Sequence, residues 1–161
     1  SRYGMANVCW HLLQNREAMI CFQNSNPAFV RIDELLRMDA PMNALHRFAM
    51  EDMHVFDCEI KRGDKFVVLI NAVNYDEELF ENPYNIDFNR GKHDFSFGYG
   101  AHFCLGHHLG KMEIEIALKA LFKKYPHMKS KNNSPEWAMV LGLRKQKKLF
   151  VNLEISNNQL R

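Results

Sequence analysis

The sequence lacks long hydrophobic runs, and it lacks a strong excess of charge of either sign. Its longest apolar run, residues 66–70, is far shorter than the roughly 20 apolar residues that a membrane-spanning helix needs. The formal net charge is only +2, so the composition gives no reason to expect nucleic acid or an anionic membrane as a partner. Neither a membrane segment nor binding to nucleic acid is therefore predicted.

The sequence is also poor in cysteine, with four in 161 residues and no CxxC pair among them. A chain of this length does not need disulfide bonds for stability, so we expect a reducing, cytoplasmic compartment. Cys9, Cys21 and Cys58 are interpreted as small buried or half-buried hydrophobic residues. The N-terminus, residues 1–5, has neither the pattern of a secretory signal nor an initiator methionine, which leads us to expect a chain cut from a longer protein.

The composition, 47% hydrophobic and 25% charged, predicts one globular domain with a sizeable core. Apolar residues at helical spacing predict a helix up to about Leu13 and a short helix over residues 29–38. The same spacing predicts a long helix that begins after Cys104 and ends near Tyr125. The sequence thus predicts three helices.

Short strand-like runs predict the β-structure. Residues 53–60 and 66–70 flank a turn at residues 61–64, which predicts a hairpin. A second hairpin is predicted over residues 137–155, with the basic run 144–148 as its solvated turn. The expected fold class is mainly α with small β-hairpins, an α+β fold.

Residues 97–106, with the sequence FGYGAHFCLG, carry the chemistry that stands out in this chain. Three glycines surround Cys104 directly before the long helix, and glycine permits left-handed turns and the close approach of a flat ligand. A cysteine at the entrance to a helix meets the positive end of the helix dipole and free backbone N–H groups, which favour the thiolate form that a metal binds. The alternative is a glycine-rich loop with a buried structural cysteine.

Read as FxxGxxxCxG, with Phe97, Gly100, Cys104 and Gly106, this segment resembles the haem-binding loop of the cytochromes P-450, which are haem-thiolate monooxygenases. Its fuller form is close to the bacterial soluble branch of that family. The resemblance implies that Cys104 is the thiolate ligand of the iron in haem b. It also implies that Phe97, Gly100 and Gly106 belong to the cofactor-binding loop.

Glu34 and Arg37 are three residues apart on one helix face and resemble the ExxR motif of the same family. The resemblance adds Arg90, which follows Phe88, although Asp87 stands before that phenylalanine here. The three charged residues would form a buried structural network that holds the haem loop in place. For the ExxR pair alone, the alternative is a surface ion pair that contributes little stability.

Further matches concern the cofactor carboxylates and the substrate. The resemblance assigns Arg47 and His102 to the haem propionates, because a guanidinium and an imidazole both suit a carboxylate. The stretches 41–45 and 139–143 resemble the substrate-binding loops of the family. Their candidate pocket residues are Met42, Asn43, Val140 and Leu141.

The resemblance covers nearly the whole chain but only part of the family's domain. Residues 1–161 are therefore expected to be the C-terminal, haem-binding part, with the N-terminal part absent. The implied activity is the activation of dioxygen to hydroxylate an organic substrate, with electrons from a ferredoxin or flavodoxin-type donor attracted by basic residues such as Lys92 and Lys111. The family's proton-delivery residues would fall before Ser1, so no catalytic residue beyond the haem ligand is assigned and the chain alone is expected to be inactive.

Two alternatives to this function stay open. One is a truncated, catalytically silent haem-binding remnant. The other is a zinc-site protein, because four permitted zinc ligands lie close together in the sequence, at a compressed spacing. These ligands are His102, Cys104, His107 and His108. The loop also departs from the family at Gly110 and Lys111, where alanine and arginine are more usual, and His93 is given no role.

Overall fold

A computed structural model describes residues 1–25, 29–91 and 94–153. Five helices, a 3-10 turn and six short strands follow one another in this part of the chain. They are α1 (Arg2–Gln14), α2 (Arg16–Asn24), α3 (Phe29–Met38), β1 (Ala44–Phe48), β2 (Met53–Val55), β3 (Cys58–Ile60), β4 (Lys65–Leu69), α4 (Ile70–Asn74), the 3-10 turn Gly100–His102, α5 (His107–Lys124), β5 (Lys129–Ser130) and β6 (Val151–Asn152). The predicted helices α1, α3 and α5 are confirmed, as is the helix-rich fold class with small sheets.

The hydrophobic core lies between α1, α2, α3 and α5, which bury the apolar faces that the helical spacing predicts. Its members are Val8, Cys9, Leu12, Ala18, Met19, Phe22, Ile32, Leu35, Leu36, Ile114, Leu118, Phe122 and Met128. A fully buried leucine such as Leu35 contributes about 1.5–3 kcal/mol from the removal of its side chain from water. No helix in the described ranges is both long and apolar enough to cross a membrane.

The break between α1 and α2 rests on Asn15, which the sequence analysis did not single out. Asn15 has extended backbone angles, φ −128° and ψ 99°, and it ends α1 at that point. Its side-chain oxygen accepts a hydrogen bond from the Ala18 N–H at 2.9 Å and so caps the start of α2. One asparagine therefore turns the chain and lets two helices pack on the same core.

The first predicted hairpin is wrong in its pairing. β2 pairs with β3 in a small hairpin of its own, whereas β4 pairs antiparallel with β1, a strand that the sequence analysis did not predict. The turn at residues 61–64 does form, and the Asp64 N–H bonds to the Lys61 carbonyl at 3.0 Å. It leads the chain out of one two-stranded sheet into the next, because Gly63 and Asp64 bond to Ala49, directly after β1.

The second predicted hairpin exists, but its turn was placed too late in the chain. The turn lies at residues 139–142, and the Ala138 N–H bonds to the Lys145 carbonyl at 2.9 Å across it. The basic run returns along the hairpin, so Arg144 packs on the Trp137 ring at 3.9 Å and Gln146 is buried. The end of the predicted hairpin, from residue 154 onwards, lies outside the described residues.

Gly110, where the family more often has alanine, gives a stability test of the α5 packing. A Cβ atom added at Gly110 meets only the Phe97 Cε1 atom, at 4.0 Å, which is an ordinary van der Waals distance. Glycine inside a helix costs about 0.5–1 kcal/mol relative to alanine, so Gly110→Ala should raise the free energy of unfolding by about that amount. Denaturant unfolding followed by circular dichroism measures the change.

Gly63→Ala is the matched control for this prediction. It makes the same chemical change in open space, since no atom lies within 4 Å of the added Cβ, but at a φ of +94°. Backbone strain should therefore lower the free energy of unfolding by about 1–2 kcal/mol. A destabilised Gly110→Ala protein would contradict the space that the structure shows between Gly110 and the Phe97 ring.

Candidate metal and cofactor site

Cys104 is exposed and lies three residues before the first residue of α5. Its backbone N–H donates to the Phe97 carbonyl at 2.9 Å, and its own carbonyl accepts hydrogen bonds from the His107 N–H at 3.3 Å and from the His107 Nδ1 at 2.9 Å. Gly98 and Gly100 have φ values of +80° and +72°, which few other residues tolerate. The loop is thus held by its backbone, while the thiol is left free to meet a ligand.

Cys104 lines a cavity of about 530 Å³. Arg47, Phe97 and His102 line the same cavity, together with the half-buried Leu45 and the buried Ile70. Gly106 lines an adjoining cavity of about 320 Å³ that also includes Cys104 and Phe97. Four of the six predicted cofactor residues therefore line one cavity and Gly106 lines the adjoining one, whereas Gly100 lines neither and lies in the turn before Cys104.

The structure places one of the four candidate substrate residues at the cavity. Met42 lines the cavity, and it forms an isolated β-bridge with Leu143, which lines the cavity as well. Within the described part of the chain, that lining does not include Asn43, Val140 or Leu141. The side chain of Asn43 instead accepts a hydrogen bond from Asn71 Nδ2 at 2.9 Å. Val140 and Leu141 lie at the turn, where Leu141 is 86% exposed.

The site fits the haem that the sequence resemblance implies. An exposed thiol is the ligand type that haem-thiolate chemistry requires. Arg47 and His102, both exposed on the cavity side of the chain, supply donors for two carboxylates. Leu45, Ile70 and the other apolar lining residues suit a flat hydrocarbon ring system.

Glu34, Arg37 and Arg90 lie together in the structure, and the first two are buried. Arg37 donates from Nε and Nη2 to the two carboxylate oxygens of Glu34, each at 2.9 Å, which is a bidentate pair. Arg90 Nε lies 3.2 Å from Glu34 Oε2. The carboxylate also accepts the Asp87 N–H at 3.0 Å. Glu34 is therefore the shared partner of the network.

The two arginines use their remaining donors on backbone carbonyls. Arg37 donates to the Asn74 carbonyl at 2.7 Å and to the Asn85 carbonyl at 3.2 Å, and Arg90 donates to the Glu81 carbonyl at 2.7 Å. The Phe80 ring lies 5.3 Å from the Arg37 guanidinium and 6.0 Å from that of Arg90. The network thus holds the otherwise irregular residues 75–91 against α3.

A second buried polar cluster was not found by the sequence analysis. Asp39 accepts a hydrogen bond from His11 Nε2 at 2.8 Å, and it forms an ion pair with Arg144. Asn7 donates to the backbone carbonyls of Asp39 and Arg144, at 3.0 and 3.1 Å. Burial, with a smaller contribution from the Asp39 carboxylate, raises the pKa of the neighbouring Tyr75 hydroxyl. This cluster joins α1, the end of α3 and the C-terminal hairpin.

The residues in and around the cysteine loop (residues 97–106) bear on the zinc-site alternative and on the predicted partner contacts. In the part of the chain that the structure describes, no group of three or more His, Cys, Asp or Glu side chains is placed to hold a metal ion, which the zinc-site alternative requires. His107 instead packs on the Phe103 ring at 4.7 Å. Lys111 forms an ion pair with Asp33 and lies 5.5 Å from the centre of the Phe97 ring. Lys92 lies outside the described residues.

The comparison with protein-family models gives one match. The model described as cytochrome P-450 matches residues 30–152. Two curated relatives are cytochrome P-450(MEG) of Priestia megaterium, 40% identical over 101 residues, and cytochrome P-450-terp of a Pseudomonas species, 37% identical over 116 residues. The aligned segments cover 62% and 70% of this chain. They cover only 25% and 27% of those relatives.

Two solved structures superpose closely on this chain. The polyketide synthase cytochrome PksS of Bacillus subtilis superposes with a TM-score of 0.86 at 32% identity, covering 94% of this chain and 40% of that one. CYP109E1 of Bacillus megaterium in complex with corticosterone has a TM-score of 0.87 at 26% identity, covering 95% and 42%. The chain therefore spans about a quarter of the length of the curated relatives and about two fifths of the solved chains.

Loss of the shared carboxylate tests the buried network. Glu34→Ala leaves Arg37, which is 0% exposed, with an uncompensated charge, so the free energy of unfolding should fall by about 3–5 kcal/mol. Glu59→Ala is the control, because Glu59 forms an exposed ion pair with Lys61 at 3.7 Å and should change stability by less than about 0.5 kcal/mol. Denaturant unfolding compares the two, and equal effects would contradict the assignment.

Proposed function

The chain belongs to the cytochrome P-450 family, and on this premise we propose that it carries the haem-binding part of a haem-thiolate monooxygenase. The observation that carries the proposal is the exposed thiol of Cys104 on a cavity that Arg47 and His102 also line. The cofactor is haem b, with Cys104 as the ligand of its iron. When bound, this group activates dioxygen for the insertion of one oxygen atom into an organic substrate.

The residues of the chain bind and orient this cofactor. Arg47 and His102 pair with its carboxylates through charge-assisted hydrogen bonds. The Phe97 ring lies 6.5 Å from that of Phe103 within the loop and 6.1 Å from that of His107, the first residue of α5. Gly100 and Gly106 leave space for close approach of the ring system. The buried pair Glu34 and Arg37, with Arg90, keeps the loop in this position without taking part in the oxygen chemistry.

The substrate side of the cavity is formed by Met42 and Leu143, which exclude water and orient an apolar substrate. Asn43 acts behind this wall, because its backbone N–H bonds to the Gly142 carbonyl at 2.9 Å. Val140 and Leu141 are exposed at the turn and meet the substrate at the entrance to the cavity. The substrate is an organic molecule. This agrees with the similar solved structures, of which one is a polyketide synthase cytochrome and another is a complex with corticosterone.

We assign electron supply to a ferredoxin or flavodoxin-type partner, and the compartment to the cytoplasm. In this proposal Lys92 helps to attract the acidic partner. Lys111 contributes less than its charge suggests, because Asp33 neutralises it and its side chain is largely buried. Four cysteines without a disulfide among them agree with a reducing compartment.

Cys104→Ala tests the ligand assignment. In the haem-loaded protein, the reduced carbon-monoxide complex should show the red-shifted Soret band of thiolate ligation, and Cys104→Ala should abolish it. Alkylation provides a second readout at about pH 8, where only thiolates react quickly. Haem should protect Cys104, while the exposed Cys58 should be labelled with or without haem. Burial raises the pKa of the Cys9 thiol to about 12, so Cys9 stays protonated and should be labelled only after unfolding. A red-shifted band that survives in Cys104→Ala would overturn the proposal.

We further propose that residues 1–161 correspond to the C-terminal part of the family's domain, so that this chain alone lacks proton delivery and part of the distal wall. The 161-residue chain, loaded with haem and given an electron donor, should consume electrons without forming oxygenated product in proportion. Product and electrons are quantified side by side with a substrate that a family member of full length turns over. Well-coupled product formation would contradict this proposal, and haem binding without consumption of electrons would favour the catalytically silent haem-binding remnant.

A further inference from the structure

We propose that Asn74 is a positioning residue that connects the buried charged network, which its backbone carbonyl contacts, to the cysteine loop, which its side-chain amide holds. The inference rests on the proposed role of Cys104 as the iron ligand. Asn74 is the last residue of α4 and is 0% exposed. It has no place in the ExxR motif or in the glycine-rich loop, and it lies 30 residues before Cys104 in the sequence.

Every hydrogen-bonding group that Asn74 offers towards these two sites is used. Its side-chain oxygen accepts the Phe95 N–H at 2.9 Å, and its side-chain nitrogen lies 3.2 Å from the hydroxyl of the buried Ser96. Its backbone carbonyl accepts the Arg37 guanidinium at 2.7 Å. A single residue therefore contacts the charged network with its backbone and, with its side chain, the two residues that directly precede the cysteine loop.

A short series of backbone hydrogen bonds carries this contact on to Cys104. The Phe95 carbonyl accepts the Gly98 N–H at 2.8 Å, which closes the turn in which Gly98 has its positive φ. The carbonyl of Phe97, two residues after Phe95, accepts the Cys104 N–H at 2.9 Å. A shift of residues 95–97 therefore moves the acceptor that holds the backbone of the ligand itself.

The chemistry at position 74 calls for a side chain with an acceptor for the Phe95 N–H and a second polar atom that bonds to the Ser96 hydroxyl. The Phe95 N–H needs an acceptor, because an unsatisfied buried N–H loses its full solvation without compensation. Aspartate keeps that acceptor and can accept the Ser96 hydroxyl proton with its second oxygen, while the adjacent Arg37 offsets its charge. Alanine keeps neither contact.

Asn7 offers a matched control for Asn74. It is also 0% exposed, and its side-chain amide is also hydrogen-bonded within the protein. It donates to the carbonyls of Asp39 and Arg144 at 3.0 and 3.1 Å and accepts from Gln146 Nε2 at 3.4 Å, all away from residues 95–106. Asn7→Ala should therefore destabilise the protein through the same kind of loss without releasing the cysteine loop.

The test compares the haem-loaded wild type with the variants Asn74→Ala, Asn74→Asp and Asn7→Ala. Two quantities are measured, the lifetime of the red-shifted Soret band of the reduced carbon-monoxide complex and the denaturant midpoint of unfolding. Asn74→Ala should shorten the lifetime of the band about tenfold, as expected for one unsatisfied buried N–H near the ligand. Asn74→Asp should restore most of that lifetime. Asn7→Ala should lower the midpoint about as much as Asn74→Ala and leave the lifetime unchanged.

Several results would overturn the inference. One is an Asn74→Ala band with the lifetime of the wild type, and another is an equal loss of the band in Asn7→Ala. If Asn74→Ala does not accumulate with haem, Ser96→Ala decides, because it removes only one of the two side-chain contacts. A partial loss of the band in Ser96→Ala supports the inference, and an unchanged band overturns it. A wild-type protein without any red-shifted band would instead refute the proposed function.

Discussion

The bidentate ion pair between Glu34 and Arg37 is the interaction on which the arrangement of the site depends. Arg37 is fully buried, so its charge is tolerated only because one carboxylate and two backbone carbonyls surround it. Those carbonyls belong to Asn74, at the end of the short helix α4, and to Asn85, in the irregular segment that follows. Through one guanidinium, the well-packed helix α3 thus holds a short helix and an irregular segment in place.

The helices could be predicted from sequence because their signal is local. The apolar spacing in α1, α3 and α5 reflects a face that each helix buries, and Pro41 and Pro126 follow shortly after the ends of α3 and α5. Strand pairing could not be predicted in the same way. β4 pairs with β1, and not with the nearer β2 or β3, so the paired residues are between 17 residues apart, at Phe48 and Lys65, and 25 residues apart, at Ala44 and Leu69. Register between short strands depends on tertiary contacts that no short window contains.

Part of the site could also be predicted from the sequence. Cys104, Arg47 and His102 could be named because the resemblance fixes their order along the chain, and the structure does bring them to one cavity. Leu143, by contrast, faces the cavity where Val140 and Leu141 were expected to, because the turn of the hairpin lies at residues 139–142. The contact of Asp39 with Arg144 joins residues 105 apart and has no signature in either neighbourhood.

The bridge between Met42 and Leu143 couples two stretches of chain that are a hundred residues apart. Around it, the Asn43 N–H bonds to the Gly142 carbonyl at 2.9 Å, and the Arg144 N–H bonds to the Pro41 carbonyl at 3.0 Å. Because the backbones are joined, a bulkier side chain on one stretch displaces the other as well. Substitutions in the two stretches should therefore be epistatic. Directed evolution of this wall would explore more shapes by randomising both positions together than by improving them one after the other.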